Sequence, residues 1–263
     1  MKVLVVGDIM GKVGRNSLKE FLERKKNDYN LVIVNGENAA AGFGITCKIA
    51  QEFFSWGVDI ITSGNHIWDK KEIYDYLDSE DRLLRPLNYP KGVPGNGYKI
   101  IEGKDGNKVA VINIQGRIFM PEVDSPFDRI EEVLESIRKE TKNIIVDFHA
   151  EASSEKVAMG YFLDGRVSLV YGTHTHIQTA DEKILPKGTA YLTDVGMTGA
   201  HDSIIGMSVE SVLPKFLNSL PAKFEVASHD PRVNALELEI DKNGLALDIK
   251  RINVSIEELD FLI

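Results

Sequence analysis

Five apolar runs in this chain each end in side chains able to bind a metal ion. They are VLVVGD (3–8), VIVNGEN (32–38), IITSGNH (60–66), IIVDFH (144–149) and LVYGTHTH (169–176). Apolar runs of this length, bounded by glycine and polar residues, read as strands buried on both faces. Open α/β sheets place their sites in the crevice beyond the carboxyl ends of such strands. Asp8, Glu37, Asn38, Asn65, His66, His149, His174 and His176 all stand at those ends. This repetition constrains the chain toward an α/β fold that gathers a polynuclear metal site.

The rest of the pattern agrees. Strand 3–7 leads to a helix near 15–27, strand 31–35 to a helix near 46–55, and strand 58–62 to a helix near 69–78. Right-handed crossovers between such units give a parallel sheet. The Pro- and Gly-rich stretch 85–97 reads as a long loop. It precedes strands 98–102 and 108–114, joined by the turn Lys104-Asp105-Gly106-Asn107. A helix near 127–140, strand 143–148, a helix near 154–162 and strand 167–171 follow. Beyond His176 come short strands at 183–185 and 189–193, a helical stretch at 208–218, and a closing pair of strands at 233–240 and 245–253. The expectation is one domain over 1–263, with a mixed sheet, helices on both faces and a more antiparallel second half.

Composition narrows the function classes. No stretch approaches the roughly 20 apolar residues of a membrane span, and MKVLVVGD reads as a first strand rather than a signal peptide. The single cysteine, Cys47, forms no internal disulfide, suits a reducing cytoplasm and reads as a small helix residue. A net charge of −9 argues against an extended duplex nucleic-acid surface. An acidic protein acting on an anion needs local positive charge, which bound cations supply.

The ligand set contains carboxylate, amide and imidazole but no thiolate, which favours iron, manganese or zinc. In Gly172-Thr173-His174-Thr175-His176, residues two apart in an extended or turning segment project to one side, so two imidazoles can reach two neighbouring metals. Glu37 is the best bridging candidate, with the Asn38 carbonyl beside it. Taken alone, Gly36-Glu37-Asn38 would pass for a polar turn and Asp8 for a helix N-cap. His66 follows a ligand candidate, so its ring could face the open side of the site and give a proton to a leaving oxygen. Asp69, three residues on, either orients it or serves the next helix terminus. Arg117 could clamp a phosphate oxygen or lie on the surface, and His201 and His229 lack the strand-end context. VLVVGDIMGKVG is not a P-loop: Gly7 and Gly11 enclose three residues rather than four, and Val13 follows Lys12.

Together these segments resemble the calcineurin-like metallophosphoesterases, whose motifs surround two metals. Three positions depart from that pattern. Asp8-Ile9-Met10 lacks the usual histidine, Glu37 replaces the bridging aspartate, and Ile67 follows Gly64-Asn65-His66 where an acid is usual. The YmdB-like branch shows those same departures. It also resembles this chain at VVGDIMGKVGR, NGENAAAGFGIT, TSGNHIWDKKEI, INIQGR and GTHTHIQTADEKILPKGTAYLTDVGMTGA, and the resemblance as a whole covers nearly the whole length.

The resemblance implies a four-layer α/β fold of mixed sheets flanked by helices. It implies that Asp8, Glu37, Asn38 and His176 hold one metal and that Glu37, Asn65, His149 and His174 hold the other. The two divalent or trivalent ions would be iron or manganese, and His66 the proton donor. A cytoplasmic phosphodiesterase of cyclic nucleotides such as 2′,3′-cAMP follows, in which a metal-bridging hydroxide attacks phosphorus; homo-oligomers are known in the branch. Two alternatives differ in class or substrate: a non-catalytic metal- or nucleotide-sensing regulator, and a metal-dependent phosphomonoesterase with a narrower pocket.

Overall fold

In the computed structural model, which describes residues 1–261, the chain lays down strands and helices in an order close to the sequence expectation. Strands β1 (Lys2–Val6) and β2 (Asp8–Ile9) precede helix α1 (Gly11–Lys25). Then come β3 (Leu31–Asn35), α2 (Cys47–Trp56), β4 (Ile60–Thr62), a 3-10 turn at Asn65–Asp69 and α3 (Ile73–Ser79). The middle of the chain holds β5 (Tyr98–Glu102), β6 (Lys108–Gln115), α4 (Pro126–Glu140), β7 (Ile144–His149), α5 (Ser153–Leu163) and β8 (Leu169–Thr173). The last part holds β9 (Lys183–Ile184), β10 (Ala190–Leu192), β11 (Met197–Ala200), α6 (Val209–Asn218), β12 (Pro231–Ile240) and β13 (Ala246–Ser255).

These strands form two sheets, not the one mixed sheet that periodicity suggests. The first runs β2-β11-β12-β1-β3-β4, with β13 paired to β12, and the second runs β5-β6-β7-β8-β10-β9. In the first, β1, β3 and β4 are parallel; in the second, β6, β7, β8 and β10 are parallel. The chain thus changes sheets at β5 and returns to the first at β11. Periodicity reports that a strand is buried on both faces; it carries no record of which sheet the strand joins.

Alternate side chains explain the layers. Val3, Val5, Leu31, Ile33 and Ile60 of the first sheet meet Val109, Val111, Ile145, Leu169 and Leu192 of the second in one core. The opposite faces pack on helices: Leu4, Val6, Val32 and Val34 against Leu18, Phe21 and Leu22 of α1 and Ile49 and Phe53 of α2. Ile112, Ile114, Val146 and Phe148 lie against Ile130, Leu134 and Ile137 of α4 and Met159 and Leu163 of α5. The result is helix–sheet–sheet–helix, and it requires strands apolar on both faces.

Two departures are local. Helix α1 begins at Gly11, four residues before the expected start, because Gly11, Gly14, Leu18 and Phe21 line its buried face. A Cβ at Gly14 would stand 2.2 Å from the Thr198 carbonyl oxygen, so this glycine lets the helix approach β11 closely. The helix expected near 69–78 is a 3-10 turn followed by α3, which leaves Asn65 and His66 in the turn.

Candidate metal centre

The parallel strands of both sheets deliver their carboxyl ends to one place. The first sheet brings Asp8 after β1, Glu37 and Asn38 after β3, and Asn65 and His66 after β4. The second brings His149 at the end of β7, with His174 and His176 after β8. All eight expected site residues converge. Asp8 is not an N-cap, since Met10 holds that position on α1, and the Glu37–Asn38 turn aims its side chains inward.

Glu37, His149 and His174 form a group of three whose ligand atoms lie within 4.8 Å of one another. His149 Nε2 stands 3.0 Å from Glu37 Oε1, 3.2 Å from Asn65 Oδ1 and 3.0 Å from His174 Nδ1. His174 Nε2 lies 3.1 Å from Glu151 Oε2, so in the neutral ring its Nδ1 holds a lone pair. A single hydrogen on His149 Nε2 cannot serve three acceptors; a cation among them can. Burial pushes the Glu37 carboxyl up, but His149 and the His66 backbone N–H at 3.1 Å more than offset it, holding it at about 2. Burial lowers His149 while Glu37 raises it further, to about 9. A proton therefore takes the central position when no metal competes. His174, desolvated and beside the His149 cation, is held down at about 3.

A second group lies alongside. His176 Nδ1 donates to the Ile205 carbonyl at 2.8 Å, and Asn38 Nδ2 donates to the Gly42 carbonyl at 2.9 Å. His176 Nε2 and Asn38 Oδ1 then face each other at 3.3 Å. The buried Oδ1 of Asp8 has no hydrogen-bond partner among the described residues, while its Oδ2 accepts from the His174 backbone N–H at 3.2 Å. Burial pushes this carboxyl up to about 7. Opposed acceptors and an unpartnered buried carboxylate oxygen fit cations held by oxygen and imidazole.

The two loop histidines lie in a turning segment, one of the two backbones the sequence allows. Both have left-handed backbone, φ +98° at His174 and +64° at His176, which non-glycine residues seldom adopt. The turn sends His174 toward His149 and His176 toward Asn38. A buried ion pair braces it: Lys156 Nζ donates to Asp194 Oδ2 at 2.6 Å, and that oxygen also accepts from Thr175 Oγ1 at 2.7 Å. Sequence reading missed Lys156 and Asp194, because α5 and the 193–196 turn are far apart in the chain.

It also missed Asp147, a charged residue inside an apolar strand. Asp147 Oδ1 accepts from Thr173 Oγ1 at 2.7 Å, so Thr173 in turn accepts from His149 Nδ1 at 2.9 Å. That chain of bonds keeps the Nδ1 proton in place and presents Nε2 to the centre, as outer carboxylates do for metal-binding histidines. Gly64 has a steric role. A Cβ there would stand 2.2 Å from His149 Nε2 and 2.5 Å from Glu37 Oε2.

His66 Nδ1 pairs with Asp69 Oδ2 at 2.8 Å, which leaves Nε2 free for another partner. The ring lines a cavity of about 550 Å³ together with Glu37, Asn38, His174 and His176. Arg117 is outside it, exposed on a separate groove with Ile118 and Phe127, and the clamp reading loses its basis. His201 faces the Met197 carbonyl in another small cavity, and His229 is exposed. Cys47 sits in the first turn of α2 against the Glu72 carbonyl, as a helix residue. Among the described residues no helix is long and apolar enough to cross a membrane.

A family model described as "YmdB-like protein" matches residues 4–252. The chain is 46% identical over 264 residues to a 2′,3′-cyclic-nucleotide 2′-phosphodiesterase of Bacillus subtilis, spanning 99% of this chain and 100% of that protein. A solved structure of a hypothetical protein from Thermus thermophilus matches with TM-score 0.92 at 42% identity, covering 97% of this chain and 99% of that one. A solved structure of a phosphatase from Mycoplasma pneumoniae matches with TM-score 0.90 at 34% identity, covering 97% and 93%.

Proposed function

The chain belongs to the YmdB-like family, and on that premise we propose that it is a metal-dependent phosphodiesterase opening 2′,3′-cyclic nucleotides such as 2′,3′-cAMP, one catalytic domain acting in the cytoplasm. The observation that carries this reading is the meeting of metal-ligating side chains: His149 Nε2 with Glu37, Asn65 and His174, and His176 Nε2 with Asn38. Asp8, Glu37, Asn38 and His176 would hold one metal; Glu37, Asn65, His149 and His174 would hold a second, with iron or manganese the suited ions. When bound, such ions lower the pKa of water and neutralise charge on a phosphoryl group.

The chain's own residues supply the rest. Asp147 and Thr173 keep Nε2 of His149 directed inward. Glu151 fixes the ring of His174 from the other side. Asp69 holds His66 so that its Nε2 faces the cavity, where it gives a proton to the ribose 2′ oxygen as the P–O2′ bond breaks. Oxygen from water replaces that bond, and the product is a nucleoside 3′-monophosphate.

The test is metal content of protein purified without chelator, with 2′,3′-cAMP and a phosphomonoester assayed on the same sample. About two metals per chain with diester cleavage supports the reading. Cleavage confined to the monoester would replace it with a phosphomonoesterase. Metal without any turnover, after Fe(II) and Mn(II) reconstitution, would replace it with a sensor.

A further inference from the structure

One wall of the cavity beside His66 takes no part in the hydrolytic chemistry. It is apolar, formed by Met10, Phe43, Ile204, Met207, Phe216 and Phe224. We propose that this wall is a nucleobase subsite and that Phe43 is the ring on which the base stacks. The proposal rests on the phosphodiesterase reading and adds what distinguishes a nucleotide from other phosphodiesters.

Three observations carry it. First, the Phe43 and His66 ring centroids are 5.0 Å apart at 64°, an edge contact. The aromatic surface therefore adjoins the residue assigned to the leaving ribose oxygen, within one nucleotide of it. Second, Phe43 is presented rather than packed away: it is 38% exposed, whereas Phe21, Phe53 and Phe148 are buried. The backbone around it is left-handed at Ala41, Gly42 and Gly44 (φ +58°, +95° and +78°). A Cβ at Gly42 would lie 2.7 Å from Met207 Cε, and one at Gly44 would lie 3.3 Å from the His66 carbonyl oxygen. The loop is thus clamped between the 203–226 segment and the turn that carries His66.

Third, the wall behind the ring is built. Met10, Met197, Met207 and Val212 form a small buried core of their own, with Ile204, Phe224 and Val226 packed against it. Methionine surfaces of this kind adapt to flat aromatic groups. A volume of about 550 Å³ lies within the usual range for a small-molecule site. A base offers a π face to any aromatic platform, whatever its hydrogen-bonding pattern.

The experiment compares kcat/KM for 2′,3′-cAMP with that for glycerol 1,2-cyclic phosphate, which has the cyclic diester and no base. Metal-loaded wild type, Phe43→Ala, Phe43→Leu and Phe43→Tyr are measured. The nucleotide preference of wild type should fall roughly 10- to 100-fold in Phe43→Ala, mainly through KM for the nucleotide. Phe43→Tyr should restore it and Phe43→Leu should not. Because Phe43 also touches His66, both substrates could slow together; an unchanged ratio of that kind overturns the subsite, as does a wild type without preference.

Calorimetric binding of adenosine 3′-monophosphate against inorganic phosphate needs no turnover. Tighter binding of the nucleotide in wild type, lost in Phe43→Ala, supports the subsite; equal binding overturns it. Base-dependent binding without cleavage of either cyclic phosphate would sink the phosphodiesterase reading and leave the subsite standing.

Discussion

His176 Nε2 and Asn38 Oδ1 face each other across 3.3 Å, and with the His176 ring neutral neither can donate to the other. The other nitrogen of each side chain is already committed, His176 Nδ1 to the Ile205 carbonyl and Asn38 Nδ2 to the Gly42 carbonyl. Two lone pairs held together in a buried place repel unless a positive charge lies between them. This pair makes the proposed second metal position testable apart from the first, which would centre on Glu37 and His149.

Asn38→Ala removes one of the opposed acceptors and leaves Glu37, Asn65, His149 and His174 in place. Manganese stoichiometry by isothermal titration should fall from about two to about one per chain. Unchanged stoichiometry would take Asn38 out of the ligand set.

Thr173→Val breaks the link from Asp147 to His149 without touching a ligand atom. Loss of such an outer partner lowers metal affinity by about 10- to 100-fold. Thr173→Ser, which keeps the hydroxyl, should bind as wild type does. Equal affinity of the valine variant would show that the relay does not set the His149 tautomer.

Lys156→Met strands the Asp194 carboxylate in a buried site, since both side chains are about 1% exposed. Breaking one side of a buried pair costs roughly 3–5 kcal/mol, a fall in Tm on the order of 10 °C. Thr175 should also lose order, weakening metal binding at both histidines of the turn. A Tm within a degree or two of wild type would contradict the bracing role.

The chelator-treated protein should lose stability between pH 6.5 and pH 9. Burial lowers His149, but Glu37 more than offsets it and raises the group from 6.5 to about 9, so its stabilisation is whole below pH 6.5 and lost as pH rises through 9. Asp8, raised by burial from 3.8 to about 7, loses its contribution in the same direction. Glu37 opposes this only in acid: its pKa of about 2 gives stability present above 4.5 and lost as pH falls through 2. Manganese replaces the proton on His149, so its affinity should climb over pH 6.5–9 and the loaded protein should show a flatter profile. Thermal scans with and without metal decide it; a metal-free Tm that rises over this range would be the contrary result.

His66→Ala should keep metal content and lose roughly 10²- to 10⁴-fold in kcat on 2′,3′-cAMP. Asp69→Asn should lose less, because it disturbs the orientation of the ring and leaves the imidazole present. Retained turnover in His66→Ala would remove it from the reaction.

The strand ends were legible because a strand buried on both faces must be apolar throughout, and the first polar residues after it stand at the sheet's edge. Local succession alone therefore placed Asp8, Glu37, Asn38, Asn65, His66, His149, His174 and His176 at the carboxyl ends of strands. What local pattern could not carry was which rim meets which. Asn38 and His176 are 138 positions apart, and their meeting depends on two sheets stacking through Val5, Ile33, Val111 and Leu169. Asp147 and Lys156 took their roles from partners distant in the chain, and Arg117 lost its role because its turn faces a separate groove. Phe43 became a wall of the cavity only when the 203–226 segment packed against its loop. Periodicity and residue chemistry determined the inventory of candidate ligands, since those depend on neighbours along the chain; pairing, tautomer and pocket shape were decided by packing between sheets, which depends on residues far apart in it.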